Sequence, residues 1–346
     1  MTDLRQTRSH FSQAVLLVGV AWICGGVSGC TTYAQRTPVE REAQWSRARG
    51  ATEAESWELA ASLWNELRLG SPEAGSEPHI ETAEALIQLG KRQDALAILD
   101  YAKKIYPVDG EVLRRRALLL DAMGFERAAE ADLLRAIDLR PNCPYTWENL
   151  GQVQLELGEP LKACESLEHA VGLSHEVTPE LLISCARASR MSGNYDQAQT
   201  RYLALLEMDG GDSREVRLEA AALYTDCDPA IAPKPYLRDS LSWMDEVVAQ
   251  DPQAVEAHFV RGLLLEQLGN PVDALTAYER AAELDNVHLG ALNNMALLYM
   301  RLHRPDRAAE ILERTIKLEE DPRRVMALKS LRERALEQAG PGLRSY

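Results

Sequence analysis

Glycines at a fixed interval constrain the fold of this chain more than any other feature of its sequence. Gly90, Gly124 and Gly158 stand 34 residues apart, and Gly193 follows after 35. The fifth residue after each of these glycines is an alanine: Ala95, Ala129, Ala163 and Ala198. The same offsets return farther along the chain, with His303 in place of one glycine. Self-similarity at a short, fixed interval is typical of an array of repeated supersecondary units.

The spacing within each repeat predicts two antiparallel helices joined by a tight turn. Glycine permits the positive φ that such a turn needs. A second alanine follows seven residues after the first, so both lie on one face of the second helix and let a neighbouring helix approach closely. Pro107 and Pro141 then end the second helix. The low phenylalanine content, 3 residues, also favours helix packing over a β-sheet core.

One predicted first helix carries a more specific signature, the segment Trp147-Glu148-Asn149-Leu150-Gly151. Together with the 34-residue interval, this segment resembles the tetratricopeptide repeat. The resemblance implies an all-α fold, namely a right-handed superhelical solenoid of antiparallel helix pairs. The alternative is an unrelated helical bundle, for which turn positions in near-constant phase have no physical reason.

The repeats divide the chain into a leader, an array and a cap. We expect about seven to eight repeats over residues 38–321, with irregular repeats at 38–72 and 211–252. The second irregular stretch contains an insertion with three prolines, from Asp228 to Pro235. Residues 322–346 are expected to form a capping helix and a tail, because an array needs a polar end over its last core face.

The first 30 residues predict a secretory signal. Arg5 and Arg8 precede an uncharged stretch over residues 14–27, which is too short to cross a bilayer comfortably. The stretch ends in Val27-Ser28-Gly29-Cys30, and these four residues resemble the lipobox of bacterial lipoproteins. The alternatives are an uncleaved anchor and an ordinary signal peptide with an incidental cysteine.

The lipobox resemblance implies an address for the protein. Residues 1–29 are then a lipoprotein signal peptide, Cys30 is the lipidated residue, and residues 30–37 are a tether. Acyl chains such as palmitate would anchor the protein in the bacterial cell envelope, facing the periplasm. Thr31 follows the cysteine where an aspartate often retains lipoproteins at the inner membrane, so the outer membrane is favoured.

Motifs that define most enzyme classes are missing from the sequence. It contains no HExxH zinc motif, no CxxC pair, no glycine-rich phosphate loop and no GxSxG elbow. We therefore expect no catalysis, no cofactor, no metal site and no small-molecule substrate. The alternative, an enzyme with a site in the groove, lacks any catalytic set to support it. The net charge of −15 argues against nucleic-acid binding, because phosphates require a basic surface.

The tetratricopeptide resemblance also implies a partner site, because the first helices of such arrays line a concave side that binds peptides or partner helices. Basic and amide side chains at inward first-helix positions are predicted to form it: Arg115, Asn149, Gln152, Arg187, Arg190 and Asn294. Such a strip would favour an acidic protein or peptide through charge-assisted hydrogen bonds. The family's carboxylate clamp is incomplete, since its lysines are missing. An equally open alternative is that these arginines pair with acidic residues of the same chain.

These observations predict a membrane-anchored, non-catalytic scaffold or adaptor that binds proteins in envelope assemblies. The alternative is a regulatory or targeting subunit for a cell-wall hydrolase or for a secretion or pilus machine. A separate question concerns Cys164 and Cys185, which fall on helices expected to pack together. They form either a disulfide, which an oxidising compartment permits, or two buried thiols.

Overall fold

The computed structural model describes residues 38–70, 74–225 and 231–339. The predicted signal peptide, the lipidation site Cys30, the tether and the last seven residues of the predicted tail lie outside the described residues. The described residues form 17 α-helices and no strand. The predicted all-α class and the array of antiparallel helix pairs are confirmed. The helices divide into two compact units, one ending at Ile105 and the other beginning at Tyr106.

The first unit contains four helices: α1 (Pro38–Glu53), α2 (Trp57–Gly70), α3 (Glu77–Gln88) and α4 (Arg92–Ile105). Its core contains a large aromatic side chain beside buried alanines. Trp64 is buried, and its indole N–H donates to the Thr52 hydroxyl at 3.0 Å. Trp45 meets the Trp64 ring edge-on, with 5.3 Å between ring centroids. The irregular stretch at the start of the array therefore packs through tryptophans as well as through small residues.

The second unit contains thirteen helices among the described residues. These are α5 (Gly110–Asp121), α6 (Glu126–Leu139), α7 (Pro144–Glu156), α8 (Pro160–Leu173), α9 (Pro179–Met191), α10 (Tyr195–Glu207), α11 (Arg214–Ala221), α12 (Lys234–Gln250), α13 (Val255–Gln267), α14 (Pro271–Leu284), α15 (Leu289–Arg301), α16 (Pro305–Leu318) and α17 (Pro322–Ala339). Each helix from α5 to α16 packs against the next one along the chain. Odd-numbered helices are the first helices of pairs, and even-numbered helices are the second.

The turn inside six of the described helix pairs has the positive φ that the sequence predicts, at Gly90, Gly124, Gly158, Gly193, Gly269 and His303. Gly158, between α7 and α8, has a φ of +71°. His303, the residue that replaces a turn glycine, has a φ of +56° and lies exposed between α15 and α16. A histidine tolerates this left-handed conformation at some cost, whereas glycine adopts it freely. The turn therefore keeps its position in the repeat although a histidine replaces the glycine.

Small residues set how closely the paired helices approach each other. Gly151 on α7 is buried against α8, where a Cβ atom added to it would lie 2.5 Å from Cγ of Leu167 and 3.3 Å from the Ala163 carbonyl oxygen. Such distances leave no room for a side chain. Ala163 and Ala170, the two alanines that the repeat places on one face of α8, are fully buried.

The helices around the proline-rich insertion differ from the sequence prediction in their ends. The sequence suggested that one helix ends near Tyr224 and the next begins near Tyr236. In the structure α11 ends at Ala221, whereas α12 begins earlier, at Lys234. Pro233 caps α12, and Pro235 lies in its first turn. Proline is accepted there because the first-turn N–H groups have no partner within the helix.

Cys164 and Cys185 are free thiols in the structure. Both belong to the hydrophobic cluster between α8 and α9, where Cys185 is buried and Cys164 is half-buried. The Sγ atom of Cys164 lies 3.7 Å from the hydroxyl oxygen of Ser192. Burial raises the pKa of the Cys185 thiol to about 11. These two residues therefore pack as small apolar side chains.

Candidate functional site

The candidate site lies on the side of the first helices that faces away from their paired second helices. We call the exposed or half-buried side of α5, α7 and α9 the first-helix face, and it is defined by Glu111, Arg115, Asp121, Tyr145, Glu148, Gln152, Glu156, Glu180, Arg187 and Arg190. On α7, Tyr145, Glu148 and Gln152 are spaced three and then four residues apart, so they share one side of the helix. Helix α7 contacts both α5 and α9, which joins the three helices into one surface.

At the α5 end of this face, one carboxylate binds two arginines. Glu111 accepts hydrogen bonds from Arg114 at 2.6 Å and from Arg115 at 2.8 Å. Burial raises the pKa of the Glu111 carboxyl, but the hydrogen bonds from both arginines outweigh burial and the pKa is lowered overall. Arg114 also donates to the Asn149 side-chain oxygen at 3.4 Å. The predicted residues Arg115 and Asn149 are thus brought together through Glu111 and Arg114.

At the α9 end, the predicted arginines lie beside residues of the two helices that follow, α10 and α11. Arg187 donates two parallel hydrogen bonds to Glu219 of α11, at 2.9 Å and 2.5 Å. The Tyr202 hydroxyl donates to the same carboxylate at 3.2 Å. Arg190 is half-buried, and its charge acts on Tyr202. The arginines therefore interact within the chain, which was the alternative left open by the sequence.

The remaining two predicted residues differ in their surroundings. Gln152 is half-buried on α7, and its side chain forms no hydrogen bond with any residue that the structure describes. Asn294 is half-buried on α15 beside Tyr278 of α14, whose hydroxyl donates to Glu266 at 3.1 Å. The structure therefore places Asn294 on a different helix from the other five residues, outside the first-helix face as defined here.

Sequence reasoning missed the carboxylates between the two arginine groups. Glu148 on α7 is half-buried and Glu180 on α9 is exposed. Burial and then the negative charge of Glu180 raise the pKa of the Glu148 carboxyl. Within the described part of the chain, neither side chain has a cation or a hydrogen-bond donor as a partner. The spacing of Tyr145 and Glu148 was the available signal, because it puts both residues one turn apart on the same side of α7.

A second like-charged pair lies at the other end of α7. Asp121 at the end of α5 lies close to Glu156 at the end of α7, and its Oδ1 atom is buried without a hydrogen-bond partner among the described residues. Burial, the charge of Glu156 and the charge of Glu126 raise the pKa of Asp121 to about 6. Two carboxyl groups this close favour retention of a proton. The first-helix face therefore holds two carboxyl pairs, one near each end of α7.

The described residues contain no cluster of side chains that could hold a metal ion. No group of three or more histidine, cysteine, aspartate or glutamate side chains among them is arranged to hold an ion. His169 on α8 stacks on the Trp147 ring with 4.5 Å between ring centroids. Of the helices in the described part of the chain, none combines the length and the apolar character that a membrane span needs.

Comparison with protein families decides what kind of repeat this is. Two models of the tetratricopeptide repeat match the chain, one over residues 114–174 and 237–287 and the other over residues 265–331. This chain contains tetratricopeptide repeats. The matched residues run from α5 to α8 and from α12 to α17. Repeats of this kind generally mediate protein–protein interaction, and the scaffold they form is typically non-catalytic.

Similar proteins support the same fold. DnaJ homolog subfamily C member 3 from Rattus norvegicus is 22% identical over 254 residues, which cover 73% of this chain and 45% of that protein. The chain thus spans less than half the length of this curated relative. The structure of PilF from Pseudomonas aeruginosa is 20% identical and has a TM-score of 0.53, covering 63% of this chain and 94% of that one. A chain of the Cut9–Hcn1 hetero-tetramer of the APC/C is 12% identical with a TM-score of 0.52, covering 87% and 57%.

Proposed function

We propose that this protein is a lipid-anchored scaffold of the bacterial cell envelope that holds other proteins on its first-helix face and performs no chemistry. Cys30 is the lipidated residue, and the repeats face the periplasm, with the outer membrane preferred. The observation that carries the proposal is a tetratricopeptide array whose first helices leave polar and aromatic side chains exposed. The segment Val27–Cys30 supports the anchor.

The arginines that were expected to bind an acidic partner are already paired within the chain. The sequence suggested an acidic partner because Arg115, Arg187 and Arg190 were expected to line the groove. Glu111 already binds Arg115 and Glu219 already binds Arg187. Recruiting these guanidinium groups to a partner would require breaking charge-assisted hydrogen bonds. The scaffold proposal therefore does not depend on an acidic partner.

The anchor is tested by metabolic labelling with an alkyne analogue of palmitate in a bacterium that expresses the full chain. We expect the wild-type protein to incorporate the label and to sediment with outer membranes in a density gradient. Cys30→Ser should abolish both properties, whereas the control Cys143→Ser should change neither. Label retained in Cys30→Ser would contradict a lipid at this residue.

Partner binding is tested by chemical crosslinking of the tagged full chain in intact cells, followed by mass spectrometry of the captured proteins. We expect a reproducible envelope protein in the wild-type capture. Cys30→Ser serves as the control, because loss of the anchor removes the protein from its compartment without changing the repeats. Absence of any reproducible partner from the wild-type capture would contradict the scaffold function.

A further inference from the structure

We infer that the part of the first-helix face between α7 and α9 binds a cationic segment of a partner protein, with Tyr145, Glu148 and Glu180 holding a lysine or arginine side chain. The inference rests on the proposed scaffold function and deepens it by naming the chemistry of the partner. It reverses the charge that the arginine-based sequence argument suggested.

Charge complementarity between the face and a cation supports this inference. Glu148 on α7 and Glu180 on α9 come from first helices that contact each other, and burial and then the negative charge of Glu180 raise the pKa of the Glu148 carboxyl. Neither carboxylate has a cation or a donor against it among the residues that the structure describes. Glu111, on the same face, already binds two arginines. Glu148 and Glu180 thus have unmet capacity for a positive charge.

The burial of the two carboxylates also favours a cation. Glu148 is half-buried and Glu180 is exposed, so a ligand can reach the pair from solvent. A half-buried carboxylate without a partner destabilises the free protein, because burial and like charge both oppose ionisation. A cation placed between the two carboxylates would remove this penalty. The geometry therefore favours a cationic ligand over a neutral or anionic one.

Tyr145 adds an exposed aromatic ring on the same side of α7 as Glu148. Its side chain is 65% exposed and lies one helical turn before Glu148. Large aromatic side chains in this environment expose an apolar ring that costs free energy in water. A lysine or arginine that reaches the carboxylates can lay its aliphatic stem or its charge against such a ring. The aromatic ring therefore selects for a long cationic side chain rather than a bare metal ion.

The second carboxyl pair predicts the spacing of cations in the partner. Glu148 and Glu156 are eight residues apart on α7, which corresponds to about 12 Å along the helix axis. An extended peptide covers this distance in about four residues and presents residues four apart on the same side. A segment with two cationic residues four positions apart can therefore reach both carboxyl pairs.

The test measures binding of defined peptides to the full chain by fluorescence anisotropy. The probe is a fluorescein-labelled nine-residue peptide of alanine and serine with lysines at its third and seventh positions. A second probe carries glutamate at both positions. We expect the lysine probe to bind the wild-type protein, and Glu148→Gln with Glu180→Gln to weaken its Kd about tenfold. Tyr145→Ala should weaken it about threefold.

Matched variants separate this site from the general negative charge of the protein. Glu165 and Glu207 are exposed glutamates on the second helices α8 and α10. Glu165→Gln with Glu207→Gln removes the same charge and should change the Kd less than about twofold. Leu161, which is 70% exposed on α8, provides the control Leu161→Ala for Tyr145→Ala. Thermal melting of each variant checks that the fold is intact.

Three results would overturn the inference: equal weakening by both pairs of glutamate variants, tighter binding of the glutamate probe, or no binding of the lysine probe to the wild-type protein. In each case, crosslinked partners recovered from cells would leave the scaffold function standing. Failure to recover any partner from cells, with lysine-probe binding intact at this site, would instead contradict the scaffold function and leave the site's preference for cations standing.

Discussion

Neighbouring helices pack through residues of different size in two segments of the array, α7–α9 and α10–α12. In the first segment Gly151 lets Leu167 of α8 contact the backbone of α7. In the second segment three large side chains, Tyr202, Tyr224 and Tyr236, are buried between the helices. Helices of this array are therefore held together either by close backbone approach or by buried aromatic side chains.

The tyrosines bring polar atoms into the core, and each finds a partner. The Tyr236 hydroxyl donates to the Ala220 carbonyl oxygen at 2.7 Å, and the Tyr224 hydroxyl donates to the Gln199 side chain at 2.7 Å. Burial raises the pKa of the Tyr236 hydroxyl far above its ordinary value. The α10–α12 segment is therefore stabilised by hydrogen bonds from its buried tyrosine hydroxyls.

The two segments also differ in how their charged side chains are paired. Glu219, at the α10–α12 segment, binds Arg187, and Arg217 binds both Asp212 and Glu246. In the α7–α9 segment Glu148 and Glu180 have no cation against them among the described residues. Glu219 and Arg217 therefore pair within the chain, whereas we propose that a partner supplies the cation for Glu148 and Glu180.

The largest expected effect comes from filling the close contact in the compact segment. Gly151→Ala should lower the free energy of unfolding by about 2 kcal/mol, because the new Cβ atom has no space beside Leu167. The control is Gly172→Ala on α8, where nothing lies within 4 Å and alanine should stabilise the helix by up to about 1 kcal/mol. Chemical denaturation measures both. Equal effects would show that the two helices do not approach closely at Gly151.

A smaller effect is expected from removing one hydroxyl in the aromatic segment. Tyr236→Phe should lower the free energy of unfolding by about 1.5 kcal/mol, since the Ala220 carbonyl loses a buried donor. Tyr145→Phe removes an exposed hydroxyl and should leave stability unchanged. Both values come from denaturant titration. A neutral Tyr236→Phe would mean that packing alone holds α12 against α11.

Removing a negative charge should change the stability of the protein differently in the two segments. Glu219→Gln should destabilise the protein by about 1 kcal/mol, because Arg187 loses its carboxylate. Glu148→Gln should be neutral or slightly stabilising, because it relieves repulsion from Glu180. Thermal melting at neutral pH compares them directly. Equal destabilisation by both changes would remove the electrostatic difference between the segments.

The smallest expected effect depends on pH. The folded protein binds the Asp121 proton more tightly than the unfolded chain does, since the pKa rises from 3.8 to about 6. The contribution of the Asp121 proton to stability is therefore present below about pH 4, is lost as the pH rises to about 6 and stays lost above that. Asp121→Asn should gain up to about 1 kcal/mol at pH 7 and much less at pH 4. An equal gain at both pH values would point to packing rather than charge.

The helix pairs could be predicted from the sequence because their turns and contacts require small residues at fixed offsets. His303 shows the strength of this signal, since its place in the repeat predicted a turn position that its positive φ confirms. The partners of the charged residues could not be predicted in the same way. Arg187 and its partner Glu219 are 32 residues apart, and only the packing of α9 against later helices brings them together. Which carboxylates remain without a cation follows from those pairings.

Site-specific photocrosslinking in living cells is the measurement that bears most closely on protein binding by the first-helix face. A photoreactive phenylalanine analogue replaces Tyr145 on the first-helix face or, as the control, Leu161 on α8, which is similarly exposed. We expect a discrete crosslinked adduct from position 145 and none from position 161. An adduct from position 161 alone, or no adduct from position 145, would contradict it.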